Sequence, residues 1–177
     1  MNAIKTLYSQ DQIQKRVAEM AQMISKDFQG ESLCVVGLLE DSFVFMADLI
    51  RKIPGEVLCY FMKADVEEQS DQAIKVKRIM YSGRFDVSDK SVLLVGRVLD
   101  TGITLDYITK RIMQSGPPRV LKACYLVDKP KARRVSVNAD YAGFVVDAEE
   151  PGFVVGFGLS RDDLYRNLPH LGLWNGQ

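Results

Sequence analysis

The sequence predicts an α/β fold with a central, mostly parallel sheet flanked by helices. Short apolar segments rich in β-branched residues alternate with longer segments in which apolar residues recur at helical spacing. This alternation is typical of parallel strands joined by crossover helices. The clearest strand, residues 91–99, carries apolar residues on both faces, so we expect it near the centre of the sheet.

The first half of the chain predicts two helices and four strands. Ser9 and Gln12 can form a capping box at the start of a first helix, which Gly30 ends. An acidic, polar loop at residues 65–71 is expected to be mobile. The predicted strands are residues 33–39, 57–64, 74–81 and 91–99, and the second helix spans residues 43–52 before a Pro-Gly stop.

The second half continues the alternation. A helix after the central strand places Leu105, Ile108 and Ile112 on one face and ends at a Gly-Pro stop at residues 116–118. We expect the whole chain, residues 1–177, to form one domain. The remaining apolar segments are residues 120–127, 141–146 and 153–159, the last two separated by an acidic loop.

Composition excludes several classes of partner. Lys plus Arg equals Asp plus Glu, 23 each, so no long-range attraction to nucleic acid is expected. No apolar run approaches the roughly 20 residues of a membrane span, and the N-terminus lacks a signal core. Three widely spaced cysteines in apolar segments are predicted to be buried thiols rather than disulfides or zinc ligands. We therefore expect a cytoplasmic protein that binds neither membrane nor nucleic acid.

The strongest local pattern is the junction after residues 91–99. The strand leads into Asp100, Thr101, Gly102, Ile103 and Thr104, and a helix begins at once. Backbone N–H groups and the helix dipole at such a junction attract an anion, and hydroxyl groups add donors. The alternative is an ordinary strand-to-helix turn that Asp or Thr caps.

Five ordered segments resemble the bacterial hypoxanthine (hypoxanthine-guanine) phosphoribosyltransferases. The resemblance runs from about residue 7 to residue 172 and implies a type I phosphoribosyltransferase-like fold, with a small hood built from the two chain ends. It also implies a homo-oligomer, a dimer or tetramer, and phosphoribosyl transfer from phosphoribosyl pyrophosphate to hypoxanthine or guanine with magnesium. The segments are VVGLLEDSFVFMADLIRKI, VLLVGRVLDTGITLDYI, YLVDKPKARR, DYAGF and FVVGFGLSRDDLYRNLPHLG.

The resemblance assigns purine and 5′-phosphate contacts to residues present here. Asp100 matches the aspartate that exchanges a proton with purine N7, and residues 100–104 match the 5′-phosphate loop. Lys129 matches the donor to the purine 6-oxo group. Tyr141 matches an aromatic residue that stacks on the base, and the Ala142 backbone would meet the base edge. Without the resemblance, Lys129 would be interpreted as a solvated strand end and Tyr141 as a core residue.

The ribose and metal contacts of the family are altered. The acidic pair that precedes the loop in the family is replaced by Gly96 and Arg97. Ser160 stands where the family has a metal-binding aspartate. Magnesium prefers oxygen ligands and an arginine repels it, so no metal-ligating residue is assigned.

The diphosphate contacts are altered as well. Glu40 and Asp41 replace the Lys-Gly of the family's pyrophosphate loop, and like charge would repel a diphosphate there. Val66 and Glu67 align with the Ser-Tyr pair of the family's lid. Arg166 matches an arginine that contacts pyrophosphate; its alternative is a surface salt bridge.

Three functions are therefore open. The first is a family homologue that binds IMP or GMP and transfers poorly or not at all. The second is an active, magnesium-dependent hypoxanthine phosphoribosyltransferase of purine salvage. The third is a non-catalytic regulatory or structural subunit. Whether the chain is an enzyme is thus undecided by sequence, since the altered positions cluster on ribose, metal, diphosphate and lid.

Overall fold

The computed structural model describes residues 4–40, 42–68, 74–81, 86–146 and 152–176. Three α-helices lie within these residues: α1 (Gln10–Asp27), α2 (Phe43–Ile50) and α3 (Ile103–Ser115). The strands are β1 (Ile4–Tyr8), β2 (Leu33–Leu38), β3 (Val57–Glu68), β4 (Ile74–Tyr81), β5 (Ser91–Leu99), β6 (Val120–Asp128), β7 (Tyr141–Val145), β8 (Phe153–Val155) and β9 (Leu171–Trp174). None of the helices described is both long and apolar enough to cross a membrane.

The main sheet has the order β4-β3-β2-β5-β6-β7. β3, β2, β5, β6 and β7 run parallel, and β4 joins the edge antiparallel to β3. β5 is the middle strand of the five parallel strands, which confirms the α/β fold and the central position expected for residues 91–99. Leu93 and Leu94 are both fully buried because helices cover both faces of the sheet.

Each face of the sheet packs against its own set of helices. On one face Ile13 of α1 and Phe45 of α2 pack in the same core as Leu93. On the other face Ile108 and Ile112 of α3 pack in the same core as Leu94. The predicted capping box begins α1: Ser9 Oγ accepts from Gln12 N at 3.3 Å, and Gln12 Oε1 accepts from Ser9 N at 2.8 Å.

A second sheet of order β1-β9-β8 forms the hood implied by the resemblance. β1 and β9 pair antiparallel, with Ile4 opposite Trp174, so the two ends of the described chain meet in one sheet. β8 pairs with the other edge of β9, and this places Phe153 opposite Trp174. The hood strands are short and lack a regular apolar alternation, which is why local pattern did not predict β1 and β9.

Two sequence-based expectations need correction. β3 continues to Glu68, so residues 65–68 of the predicted loop belong to a strand, with Asp65 opposite Arg78 of β4. Residues 69–71 of that loop lie outside the described residues. Among the three predicted buried thiols, Cys34 and Cys124 are buried but Cys59 is exposed, because its face of β3 has little covering structure.

Candidate functional site

A cavity of about 550 Å³ lies where β2, β5 and β6 end. The residues that follow these strands, Glu40, Asp100 and Lys129, all line it, as do Phe153 and Ser160 from β8 and the segment after it. Parallel strands bring their carboxyl ends to one edge of the sheet, and ligands of such sheets bind there. The volume falls within the range of about 300–1,000 Å³ typical of small-molecule sites.

The predicted anion-binding loop, residues 100–104, borders this cavity at the start of α3. We call it the anion loop. Asp100, Thr101, Gly102 and Thr104 line the cavity, whereas Ile103 is half-buried beside it. Gly102, not Asp or Thr, is the N-cap residue of α3, with φ of 80°. A Cβ atom on Gly102 would lie 2.5 Å from Val137 Cγ2, so glycine is required by both backbone conformation and space.

The Asp100 side chain organises the loop internally. Its Oδ1 accepts a hydrogen bond from Thr101 N at 2.7 Å. Thr101 Oγ1 accepts from Ile103 N at 3.5 Å, and Asp106 N donates to Gly102 O at 3.0 Å to begin the helix. The carboxylate of Asp100 therefore stays at the cavity edge and orients the loop that follows it.

Arg133 fastens the anion loop to the end of β6. Its Nη1 donates to Leu99 O at 2.6 Å, to Asp100 O at 2.5 Å and to Lys129 O at 3.3 Å. Its Nη2 forms an ion pair with Asp128, in which both side chains are about 15% exposed (14% and 16%). A guanidinium with several fixed donors suits this task. Two of the predicted site residues, Asp100 and Lys129, are thus held together by one side chain.

The cavity is also lined by an aromatic residue, Phe153, which the sequence showed only as part of an apolar segment. Phe153 is 48% exposed, and its ring lies 4.0 Å from the Arg161 guanidinium carbon and 6.1 Å from the Trp174 ring centre. Val154 also lines the cavity. An exposed ring in a cavity with a lysine and a carboxylate offers a surface for a flat heteroaromatic group.

The residues predicted to hold the base from β7 are placed elsewhere. Tyr141 lies level with Val95 and Cys124 in the sheet, four residues short of the cavity edge, or about 13 Å at the usual rise per residue. Its ring is 5% exposed and its hydroxyl donates to Asp27 Oδ2 at 2.6 Å. Burial, then the hydrogen bond to Asp27, raises the pKa of Tyr141 to about 12.

Ala142 is also turned away from the cavity. Its carbonyl oxygen accepts from Arg16 Nη2 of α1 at 2.7 Å, and that of Gly143 accepts from Arg16 Nε at 2.8 Å. The placement of Tyr141 and Ala142 therefore corrects their assignment to base binding. Tyr141 packs in the core instead. Phe153 and Val154, in contrast, line the cavity.

Gly96 is glycine because the neighbouring strand fills its space. It lies opposite Tyr125 in the register of β5 and β6, and a Cβ atom on Gly96 would lie 2.2 Å from Tyr125 Cε1. Tyr125 is 3% exposed and lines the cavity, and burial raises its pKa. The aromatic ring thus takes the place that a side chain at position 96 would need.

Arg97 lines the same part of the cavity. Desolvation lowers the pKa of its guanidinium, Asp100 opposes that shift, and the like charge of Arg166 adds to it. Arg97 as a whole is exposed to solvent, so the desolvation of its guanidinium is partial. Arg97 is therefore a cation of the cavity wall that interacts electrostatically with both Asp100 and Arg166.

Glu40 is neutralised rather than left to repel an anion. Its Oε1 lies 2.7 Å from Lys63 Nζ and its Oε2 lies 3.7 Å from Arg166 Nη2. The hydrogen bond from Lys63, with its charge, lowers the pKa of Glu40. Arg166 also pairs with Asp163 at 3.0 Å, so the surface salt bridge and the cavity position coexist. Asp41 lies outside the described residues, and Val66 and Glu67 are described only as part of β3.

The charged groups around the cavity do not fit a protein-bound magnesium ion. Among the described residues, no three His, Cys, Asp or Glu side chains cluster closely enough to hold a metal. Of the residues that the structure describes, four cationic side chains and two carboxylates line the cavity: Lys63, Arg97, Lys129 and Arg166 against Glu40 and Asp100. The cavity is therefore suited to an anion more than to a divalent cation.

Sequence reasoning missed three cavity-lining residues, Phe153, Lys63 and Tyr125, and a fourth residue, Arg133, that holds cavity-lining backbone in place. Phe153 was recognised only as the start of an apolar segment, yet its place directly after an acidic loop is a signal of exposure. Arg133 belongs to a basic turn, residues 131–134, that follows the strand carrying Lys129. Lys63 and Tyr125 carried no local signal, because their positions depend on pairing between strands.

Comparisons with known proteins agree with this geometry. A family model described as the phosphoribosyl transferase domain matches residues 3–162. The chain is 36% identical over 169 residues to a hypoxanthine-guanine phosphoribosyltransferase of Aquifex aeolicus, covering 95% of this chain and 93% of that protein. It is 34% identical over 168 residues to one from Staphylococcus aureus, covering 95% and 92%.

A solved structure of a hypoxanthine-guanine phosphoribosyltransferase from Bacillus anthracis superposes with a TM-score of 0.84 at 36% identity. The match covers 97% of this chain and 98% of that one. The parallel sheet, the cavity at its carboxyl edge and these full-length similarities lead to one conclusion: this chain belongs to the hypoxanthine-guanine phosphoribosyltransferase family.

Proposed function

We propose that this protein binds a purine nucleoside 5′-monophosphate, IMP or GMP, in the cavity at the carboxyl edge of the sheet. The proposal rests on one observation: Lys129 and the loop of residues 100–104 line the same cavity, and Arg133 donates hydrogen bonds to the backbone of both. A cation for an oxo group at one end and an anion loop at the other match the two ends of such a nucleotide.

The base lies between Lys129 and Phe153 in this proposal. Lys129 donates to the 6-oxo group, and the exposed ring of Phe153 stacks on the purine. Backbone at Val154 meets the base edge. Asp100, a carboxylate at the cavity edge, can exchange a proton with purine N7 if transfer takes place. The 5′-phosphate rests on the first turn of α3, with Thr101 and Thr104 beside it.

Phosphoribosyl transfer is expected to be very slow or absent. Gly96, Arg97 and Ser160 replace the carboxylates with which the family holds ribose and metal, and Tyr125 fills the space at position 96. Each lost charged contact removes about 1.5–3 kcal/mol. Two or three such losses, even when they do not add, suffice to lower a rate by orders of magnitude.

The second candidate is an active hypoxanthine phosphoribosyltransferase of purine salvage. The full-length similarity to curated enzymes of that name favours it, and so do the four cations around the cavity. In that case hypoxanthine or guanine and phosphoribosyl pyrophosphate yield IMP or GMP and pyrophosphate with magnesium. The family resemblance also predicts a homo-oligomer, dimer or tetramer, which light scattering would measure.

Titration calorimetry with IMP, GMP and phosphoribosyl pyrophosphate, with and without magnesium, tests the binding proposal. We expect the monophosphates to bind at least about tenfold more tightly than phosphoribosyl pyrophosphate, a gap of about 1.4 kcal/mol, and to be little affected by magnesium. Tight, magnesium-dependent binding of phosphoribosyl pyrophosphate with weak IMP binding would contradict it.

An assay of IMP formation separates the two candidates. A turnover within the ordinary enzyme range of about 1–10³ s⁻¹ would establish the second candidate. If neither IMP nor GMP raises the melting temperature and no IMP forms, the protein is a non-catalytic subunit with a vacant site.

A further inference from the structure

The carboxylate of Glu40 forms ion pairs with two cations that line the cavity, Lys63 and Arg166. One oxygen lies 2.7 Å from Lys63 Nζ, and the other lies 3.7 Å from Arg166 Nη2. Glu40 has a side-chain exposure of 55%, whereas that of Arg166 is only 21%. Arg166 is therefore the more buried member of this pair and lines the cavity, and Glu40 is the more exposed member.

Three separate elements bring these groups together. Glu40 follows β2, Lys63 belongs to β3, and Arg166 lies in the segment between β8 and β9. Leu39 N donates to Met62 O at 2.8 Å, so the backbone beside Glu40 is tied to the backbone beside Lys63. The backbone positions of Glu40 and Lys63 are therefore held close to each other by the pairing of the chain segments that carry them.

A lysine and an arginine that converge on one carboxylate would make the same contacts to a phosphate group. Both anions present oxygens that accept charge-assisted hydrogen bonds, and arginine binds either one. Arg97 also lines the cavity, and its pKa responds to both Arg166 and Asp100. Besides the loop of residues 100–104, the cavity therefore has a second place where an anion can bind, beside Lys63 and Arg166, and Glu40 fills it.

We propose that Glu40 occupies an anion subsite of its own cavity and thereby excludes ligands that carry a second phosphate group there. The inference rests on the proposed binding of nucleoside monophosphates at the loop of residues 100–104. A diphosphate can enter the Lys63–Arg166 subsite only if Glu40 leaves both cations, and it then meets the like charge of the displaced carboxylate. A nucleoside monophosphate needs only the loop of residues 100–104 and is not affected.

Glu40→Gln tests this directly, because it removes the charge and keeps the shape. The probe is inorganic pyrophosphate, with inorganic phosphate and IMP measured alongside by calorimetry in magnesium-free buffer. We expect Glu40→Gln to bind pyrophosphate about tenfold more tightly than wild type, with a gain that shrinks as salt rises and an IMP affinity within about twofold. Glu19→Gln is the matched control, because Glu19 also pairs with an arginine, at 3.0 Å, but lies on α1.

A second pair of variants locates the effect. Adding Lys63→Met or Arg166→Met to Glu40→Gln should abolish the gain for pyrophosphate, because the vacated subsite has then lost a cation. Equal or weaker pyrophosphate binding by Glu40→Gln, or an equal gain from Glu19→Gln, would overturn the inference. Failure of the wild type to bind IMP would overturn the proposed function instead, and the pyrophosphate comparison would still decide the role of Glu40.

Discussion

Replacing Arg133 with methionine should loosen the site and the fold together. Methionine keeps most of the apolar stem but removes every donor. The change leaves the carbonyl oxygens of Leu99, Asp100 and Lys129 without this partner, and it breaks the ion pair with Asp128. Val137 O, which accepts from Arg133 Nε at 3.0 Å, loses its contact as well.

The expected loss of stability follows from the burial of the ion pair. The side chains of Arg133 and Asp128 are about 15% exposed (14% and 16%). Removal of Arg133 therefore leaves the largely buried Asp128 carboxylate without this cation. Breaking a buried pair in this way costs about 3–5 kcal/mol, and the remaining exposure favours the lower end. For a chain of this length, about 3 kcal/mol corresponds to a fall in melting temperature of about 6–12 °C.

Urea unfolding and IMP titration measure the two consequences separately. Arg51→Met is the control, because Arg51 also donates Nε to a backbone carbonyl, Ala47 O at 3.0 Å, and pairs with an aspartate, but its side chain is 72% exposed. We expect the control to lose less than about 1 kcal/mol. Arg133→Met should also bind IMP more weakly at a temperature where both variants are folded, because Asp100 and Lys129 are no longer held together.

Arg133→Lys refines the interpretation. Lysine restores the charge beside Asp128 but cannot reach several carbonyl oxygens with a rigid fork, so it should recover stability more than IMP affinity. If Arg133→Met and Arg51→Met destabilise equally and bind IMP equally, Arg133 has no special role in positioning the site.

Three further predictions concern the loop, the central strand and the polar cluster at Tyr141. Thr104→Asp places a carboxylate in the cavity at an exposed first-turn position of α3, so IMP affinity by calorimetry should fall more than about tenfold while helix stability is kept; normal binding would refute the phosphate assignment, and Thr104→Ser is the control. Gly96→Ala should destabilise by about 1–3 kcal/mol in urea because its methyl group meets the Tyr125 ring. Tyr125→Ala should suppress that effect in a double-mutant cycle, and strictly additive effects would disprove the contact. The hydrogen bond from Lys122, then that from Tyr141, lowers the pKa of Asp27 below its ordinary 3.8, so the ionised carboxylate stabilises the fold above that value. Wild type should therefore lose stability faster than Asp27→Asn as pH falls from about 5 to 2, and a stability gap that does not depend on pH would contradict this.

The parallel sheet could be predicted from sequence because its signals are local. β5 is apolar on both faces, α1 begins with a capping box, and only the short loop of residues 100–102 separates β5 from α3. The hood could not be predicted from pattern, since β1 and β9 are stabilised by pairing between residues about 170 positions apart, such as Ile4 and Trp174. The extension of β3 to Glu68 likewise depends on its pairing with β4 rather than on its own polar sequence.

In the candidate site, too, residues placed by local signals could be predicted, whereas residues placed by long-range pairing could not. Asp100, Lys129 and the Gly102 turn follow apolar strands directly, and the topology of a parallel sheet is sufficient to bring them to one edge. Tyr141 was assigned to the base because it matches an aromatic residue of the family, but it begins β7, and the amino end of a strand lies away from that edge. Phe153 reaches the cavity through the hood, whose position no local signal determines.

The altered side of the cavity follows a consistent chemical logic. Where the family holds acidic groups for ribose and metal, this chain has a glycine covered by Tyr125 and the cation Arg97. Where the family has a lysine for diphosphate, this chain has Glu40, which Lys63 and Arg166 neutralise. As a result, position 96 has no side chain, position 97 is a cation, and the Glu40 carboxylate is paired with two cations. Under the proposed function, such a site favours a nucleoside monophosphate over a ligand whose diphosphate is carried by a metal ion, and the magnesium dependence of binding is the measurement that tests this preference.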